Sequence, residues 1–180
     1  MRPRYVQTMT LAGDESMDDA MPDVPAAHDG LAELYDRHHH RLYRFALRLA
    51  RNDEEAKDLV QDAFIRAASA TVPADHDAAG AWLVRVVTNL ARDRWRRRQI
   101  RDAVKHLLGR ESHDPQAALD AAATVRSALA SLPPRQRAVI VLHYLEGEPV
   151  SAIAETLGVT QVTVRWHLSA ARKRLQKVLR

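Results

Sequence analysis

Five side chains on one helical face offer the clearest candidate chemistry. At about 100° per residue, the side of segment 81–98 away from Leu83, Val86, Val87 and Leu90 carries Trp82, Arg85, Asn89, Arg92 and Arg96, spaced three, four, three and four apart. An indole that stacks on a base, an amide that reads a base edge and guanidinium groups for phosphates suit DNA. The plain alternative tucks Trp82 under the preceding loop and leaves the arginines as a solvated surface. A second set lies near the C-terminus. Opposite the stripe Val164, Leu168, Ala171, Leu175 and Val178 stand Val162, Trp166, Ser169 and Lys173, with Arg165 on one flank and Arg172 and Arg174 further along. N-terminal positions of such a helix reach base edges and later cations meet phosphates, so Arg165 and Trp166 are expected to discriminate sequence and Arg172, Lys173 and Arg174 to supply affinity. The alternative for Trp166 is a domain-packing role. His167 projects only about 60° from the core centre and is expected to pack or cap. The third set, Asp58, Gln61, Asp62 and Ile65, points outward from an acid-started helix that opens with Glu54 and Glu55. Acids at a helix start suit the dipole; Ile65 does not follow from that, and a protein-docking surface accounts for it.

Other chemistries find no residues. The chain has no cysteine, which removes disulfide frameworks, thiolate metal sites and cysteine nucleophiles. His38, His39 and His40 are consecutive, so on a helix they diverge by about 100° each and cannot share one ion. The remaining histidines form no H-x-x-x-H or H-E-x-x-H pair. There is no glycine-rich phosphate loop, no G-x-S-x-G and no paired carboxylates set in apolar surroundings. No cofactor, metal or small-molecule substrate is therefore expected. No apolar run reaches the roughly 18 residues of a membrane helix and no signal-peptide core follows the N-terminus, so the expectation is a soluble cytoplasmic protein without direct membrane insertion.

The elements that must position these residues follow from periodicity. The 180 residues suit one mid-sized or two small domains, and with six glycines and a high alanine, leucine and arginine content the fold class reads as all-α. Residues 1–30 carry net charge −4, 31–100 carry +3 and 101–180 carry +5, with six arginines between Arg92 and Arg101; concentrated positive charge of this kind is a nucleic-acid footprint. The acidic, aperiodic stretch 1–30 reads as a disordered tail. Leu31, Leu34, Tyr35, Leu42, Phe45, Ala46 and Leu49 mark a first helix, and Asn52 or Asp53 caps a second with the stripe Ala56, Leu59, Val60, Ala63, Phe64 and Ala67. Thr71 to Gly80 reads as a loop and 81–98 as a third helix, completing a helical domain over 31–100. Residues 101–121 read as a flexible linker with a partly helical start. In the second domain, 122–180, Ser131-Leu-Pro-Pro closes one helix and opens another. AVIVLHYL (138–145) is rich in β-branched residues, but no partner strand exists, so it reads as helix. Val150, Ile153, Ala154 and Leu157, a turn at Gly158, an N-cap at Thr160 and a long arginine-rich helix complete a helix-turn-helix.

The blocks DEEAKDLVQDAFIRA (53–67), AWLVRVVTNLARDRWRRR (81–98), SLPPRQRAVIVLHYLEG (131–147) and SAIAETLGVTQVTVRWHLSAARKRLQ (151–176) resemble, in order, conserved blocks of bacterial RNA polymerase sigma factors, most closely the small extracytoplasmic-function group. The resemblance implies two helical domains on a flexible linker. The first would dock on core RNA polymerase through Asp58, Gln61, Asp62 and Ile65. It would also melt and read the −10 element through Trp82 and Asn89, with Arg85, Arg92 and Arg96 on phosphates and the 71–80 loop near an unstacked base. The second would read the −35 duplex through Thr160, Val162, Arg165, Trp166, Ser169, Arg172 and Lys173. It further implies no enzymatic activity of its own and an anti-sigma factor as partner. Ala170 stands where many relatives carry arginine and Trp166 where a small residue is common, so the family's promoter preference does not transfer.

Two other readings use the same residues. One is a free-standing helix-turn-helix regulator whose first domain binds a ligand or dimerises, distinguished by failure to co-purify with core polymerase. The other is a helical metal-dependent enzyme, which elemental analysis would reveal.

Overall fold

The computed structural model describes residues 27–107 and 127–178, and among these every regular element is helical. Helix α1 spans Ala27–Leu49, α2 Asp53–Ser69 and α3 His76–Leu107. After the undescribed stretch 108–126, a helical turn at 127–130 leads to α4, Pro134–Ile140, which runs on as a wide π-type turn over Val141–Leu145. Helices α5, Val150–Leu157, and α6, Gln161–Val178, complete the chain. No described helix is long and apolar enough to cross a membrane.

Local chemistry sets the boundaries. Asn52 caps α2 by accepting from the Glu55 amide at 2.8 Å, and Asp53, Glu54 and Glu55 occupy the first turn, where the helix dipole favours them. Helix α1 begins at Ala27, inside the stretch assigned to the tail: no proline lies between Pro25 and Pro73, and Gly30, costing about 1 kcal/mol against alanine, is absorbed near the helix start. The tail proper, up to residue 26, lies outside the described residues. The loop expected over 71–80 is also shorter. Asp75 accepts from the Ala78 amide at 2.8 Å and starts α3 at His76. Gly80 lies within α3, and a Cβ there would stand 3.0 Å from the His38 ring, so its missing side chain lets α1 and α3 approach. At its far end α3 continues through 101–107, with no proline or glycine before Gly109 to stop it. The rest of the expected linker and the start of the second domain lie outside the described residues.

The tight turn between α5 and α6 follows its sequence signals. Gly158 adopts φ 63°, ψ 44°, and the Val159 amide donates back to Ala154, a left-handed helix ending that glycine makes cheap. Thr160 Oγ1 accepts from the Thr163 amide at 3.2 Å and caps α6. The segment 138–145 is helical as expected, but with a change of pitch. The Glu146 amide donates to Val141 rather than to Leu142, widening the turn by one residue.

Packing departs from two separate interiors. Phe45, Leu59, Leu83 and Val87 from the first helical unit and Leu132, Val139, Val141, Ile153 and Val164 from the second belong to one continuous apolar cluster. Helix α3 is the reason. Besides the stripe Leu83, Val87, Leu90 that faces α1 and α2, it carries Val84, Thr88 and Ala91 on a neighbouring side, and these are 5 %, 2 % and 3 % exposed. With two apolar sides α3 lies between the two units. Truncating one of its large buried residues would cost about 2–5 kcal/mol.

Candidate nucleic-acid interface

The three predicted residue sets meet different surroundings. On α3, the row expected to face solvent is partly covered. Trp82 packs half-buried against the core. The Arg85 guanidinium lies against the C-terminal turn of α5, where Nε donates to the Thr156 carbonyl at 2.8 Å and Nη2 to the Glu155 carbonyl at 2.6 Å. The last carbonyls of a helix lack intrahelical partners and carry its negative dipole end, so a guanidinium is well matched to them. Gly158 completes the seat: a Cβ there would stand 3.2 Å from the Arg85 Cζ. Asn89 is half-buried and borders a small gap shared with Arg135, Leu157, Val159 and His167. Arg92 turns toward its neighbour Asp93 at 3.1 Å, and Arg96 is exposed. The expectation that all five point freely outward is therefore corrected. Period located the face, and the small buried residues Val84, Thr88 and Ala91 lie beside it where the second unit packs.

The same seam holds further cross-links. Arg137 of α4, 3 % exposed, donates to the Leu49 carbonyl at the end of α1 and to the carbonyls of Ala130 and Leu132. Burial pushes its pKa down to about 10, so it remains a cation at neutral pH. Thus each unit sets an arginine on a helix end of the other. Arg41 of α1 pairs with Glu146 and Glu148 at 3.3 and 3.6 Å, and Arg48 with Glu146 at 3.8 Å. His167 is half-buried, as expected for a packing residue, and its Nδ1 has no hydrogen-bond partner among the described residues. Burial, then the Arg135 cation, lowers its pKa, so it enters the seam neutral.

The α2 set divides. Asp62 is half-buried and pairs with Arg94 of α3 at 2.7 Å, with Asp58 3.5 Å from the same guanidinium. Arg98 holds Glu55 in the same way; burial raises the Glu55 pKa, and the Arg51 amide with Arg98 and Arg94 more than reverses that, leaving it below the usual range. Charge reversal at Asp62 would therefore set two cations together and disturb the α2–α3 contact, so the residue expected to point outward also serves the fold. Arg94 and Arg98 were missed by the sequence reading, yet the signal was present, since they continue the stripe Leu83, Val87, Leu90 at helical spacing. Gln61 and Ile65, the latter 58 % exposed, instead line a groove of about 680 Å³ between α1 and α2. Its other wall is an aromatic ladder: Tyr35 stacks on His39 at 4.5 Å and approaches Phe64 at 4.9 Å, while His39 lies parallel to Tyr43 at 6.2 Å. Under the 70–75 loop a second recess, about 350 Å³, is bordered by Leu31, Ala68, Val72, Pro73 and His76.

Helix α6 presents its set openly. Val162 and Trp166 are 72 % and 61 % exposed, while Val164, Leu168 and Ala171 are buried. Arg165, Ser169, Arg172 and Lys173 are exposed, as is the capping Thr160. Arg165 Nη2 donates to Gln161 Oε1 at 3.3 Å. Arg172 Nε donates to the Tyr144 hydroxyl at 2.7 Å, and its guanidinium sits 5.6 Å from that ring's centre. The Tyr144 contact comes from the wide turn and was not legible in the sequence. The face combines an aromatic, an amphipathic rim and cations around a rigid helix start, the equipment for reading a duplex groove.

Comparison with known proteins accounts for both units. Residues 34–101 match the pattern of sigma-70 region 2 and residues 122–175 that of sigma-70 region 4. Over 148 residues the chain is 34 % identical to the ECF RNA polymerase sigma factor SigM of Mycobacterium tuberculosis, covering 82 % of this chain and 76 % of that protein. The chain belongs to the ECF RNA polymerase sigma factors. It is also 29 % identical over 170 residues to SigW of Bacillus subtilis, covering 84 % and 90 % of the two chains. Among solved structures it resembles the sigma factor RpoE bound to the anti-sigma factor NepR from Bartonella quintana, with TM-score 0.56, 26 % identity and coverage of 84 % and 95 %. It is similar as well to CnrH in complex with the cytosolic domain of CnrY, with TM-score 0.56, 29 % identity and coverage of 84 % and 88 %. Membership favours a polymerase-binding sigma factor over a free-standing regulator.

Proposed function

We propose that this ECF sigma factor binds core RNA polymerase in the cytoplasm and directs promoter-specific initiation, without catalysing a reaction itself. In this reading α2 and the neighbouring aromatic groove form the polymerase contact, with Gln61 and Ile65 at its apolar centre and Asp58 and Asp62 on its acidic flank. The α3 row of Trp82, Arg85, Asn89, Arg92 and Arg96 serves the −10 strand. Thr160, Val162, Arg165, Trp166, Ser169, Arg172 and Lys173 serve the −35 duplex. An anti-sigma factor is the regulatory partner; the two solved structures named above are each complexes, one of them titled as a sigma factor with its anti-sigma factor. The supporting observation is the exposed face of α6, where Trp166 and Val162 stand free beside Arg165, Arg172 and Lys173. A monomeric helical unit with no DNA partner would gain nothing from leaving that much apolar surface next to cations.

The experiment is reconstitution with core polymerase followed by transcription from a promoter library. The holoenzyme should initiate at a defined two-element set that core alone ignores. Ile65→Asp should weaken core binding, with the circular dichroism spectrum unchanged because the residue is exposed. A chain that neither binds core nor selects start sites, yet shifts duplex DNA alone, would return the reading to a free-standing regulator.

A further inference from the structure

Two apolar side chains stand where α6 would reach base edges. Val162 and Trp166 lie one helical turn apart on the same face, 72 % and 61 % exposed, in the first two turns of a helix that starts at Gln161. The polar side chains of those turns are bonded to one another. Arg165 Nη2 donates to Gln161 Oε1 at 3.3 Å, and the Thr160 and Thr163 hydroxyls share a bond of 2.9 Å. The Trp166 indole is also steadied. The half-buried His167 ring meets it edge to face, with centres 5.0 Å apart and planes at 67°, one of the favoured geometries for a ring pair. Helix α6 therefore offers a fixed apolar surface, with Arg165, Arg172 and Lys173 exposed around it.

The surrounding cations suit a polyanion, and phosphates flanking a groove are the complement they fit. Inside the major groove one group is distinctly apolar, the thymine 5-methyl; the other edges present hydrogen-bond donors and acceptors. An apolar side chain pressed on a donor or acceptor removes its water and returns no bond, so Val162 and Trp166 accept thymine and penalise other bases. On the reading of α6 as the −35 surface, on which this rests, we propose that Val162 and Trp166 are thymine readers. They seat 5-methyl groups of the −35 duplex, and the element therefore carries thymine, on one strand or the other, where it faces the first two turns of α6. Arg165 reads beside them, and Arg172 and Lys173 hold the backbone.

Deoxyuridine in place of thymine removes the methyl and keeps the base pair. Holoenzyme assembled from the full-length chain and core polymerase is titrated with the selected promoter, each thymine of the two −35 strands being replaced singly. Burying one methyl corresponds to about a fourfold change in affinity, so one or two of the replacements should weaken binding about fourfold. Trp166→Ala and Val162→Ala should each abolish the penalty at a sensitive position, whereas Arg165→Ala should leave it. Both residues are exposed, so the circular dichroism spectrum should not change, and the scan with wild-type protein decides the question even for a variant that folds poorly. If the selected element contains no thymine, if no thymine there depends on its methyl, or if the dependence survives both alanine variants, the thymine assignment is wrong; weakening by Lys173→Ala would still uphold the −35 reading. If Trp166→Ala and Val162→Ala weaken the grip on core polymerase and leave DNA binding unchanged, the pair docks a protein and the assignment is equally wrong. If Arg165→Ala and Lys173→Ala also leave DNA binding unchanged, the −35 reading falls with it.

Discussion

Helices α3 and α6 are both basic and amphipathic, and the same face arithmetic assigns each a DNA-facing row, yet one row is covered and the other is free. The difference lies in the side chains flanking the rows. Beside Arg85 and Asn89 stand Val84, Thr88 and Ala91, small enough for another helix to come close, and all three are buried. Beside Arg165 and Ser169 stand Val162 and Trp166, large and exposed, with no described helix upon them. A polar row bordered by small buried residues can belong to an intramolecular seam; a polar row carrying a bulky exposed aromatic is open to a partner. Helical period alone does not separate these cases.

The largest effect expected on this contrast comes from Arg137. Arg137→Ala removes a buried cation that satisfies the carbonyls of Leu49, Ala130 and Leu132, and should cost roughly 3 kcal/mol, since each carbonyl left unsatisfied costs about 1–3. Urea unfolding should show the lower midpoint. A loss under about 0.5 kcal/mol, the scale of a neutral surface change, would mean that the two units do not depend on each other.

Next is the reading of α6. Arg165→Ala should relax preference at one promoter position by about 1–3 kcal/mol, seen in a base-by-base scan. Lys173→Ala should weaken all sequences alike and flatten the salt slope by about one unit. Equal weakening of every sequence by Arg165→Ala would make Arg165 a phosphate clamp. Trp166→Ala sharpens the contrast from the other side. Being exposed, it should change stability by less than about 0.5 kcal/mol while lowering duplex affinity; a clear loss of stability would give Trp166 a packing role instead.

The smallest effect is a pH dependence of the seam. The groups around His167 are Arg135 from α4, Arg85, Thr88 and Asn89 from α3, and Leu157 and Val159. Its pKa is lowered from 6.5 in the folded chain, so the unfolded chain takes up the proton first as pH falls. Its contribution is thus complete above about pH 6.5 and declines below that value toward the folded pKa. His38, also lowered chiefly by burial and then by Arg37, contributes with the same sign. The difference between wild type and His167→Gln across pH 5–8 therefore isolates His167. Parallel stability profiles would remove it from the seam.

Much of this organisation was legible in sequence, for identifiable reasons. The stripe of α2 is buried throughout and that of α6 is buried as far as Ala171, with Leu175 partly buried and Val178 exposed, while Gly158 and Thr160 carry their turn and cap geometry in their residue types and Asn52 does the same for α2. Three features escaped. Asp75 as a cap was hidden because proline, acids and glycine between Thr71 and Gly80 resemble a loop, while Gly80 is there to admit His38. The second buried side of α3 was hidden because Val84, Thr88 and Ala91 are too small to mark a stripe. Asp62 was read as free because its partner Arg94 lies 32 residues away and only the packing of α2 on α3 unites them.

The wide turn at Val141–Leu145 makes a mechanical connection between places that otherwise share little. Its extra residue swings Tyr144 toward α6, where its hydroxyl accepts from Arg172. Two and four residues further on, Glu146 and Glu148 hold Arg41 and Arg48 on α1. The exit of the turn is pinned by the Glu146 amide donating to the Val141 carbonyl, the Glu148 amide donating to the Leu142 carbonyl, and the His143 ring against the Glu148 carbonyl. It is therefore short and stiff, and acts as a crank with one arm on α6 and the other on α1. A duplex phosphate that competes with Tyr144 for Arg172 therefore acts on the same short segment that carries the acidic clasp.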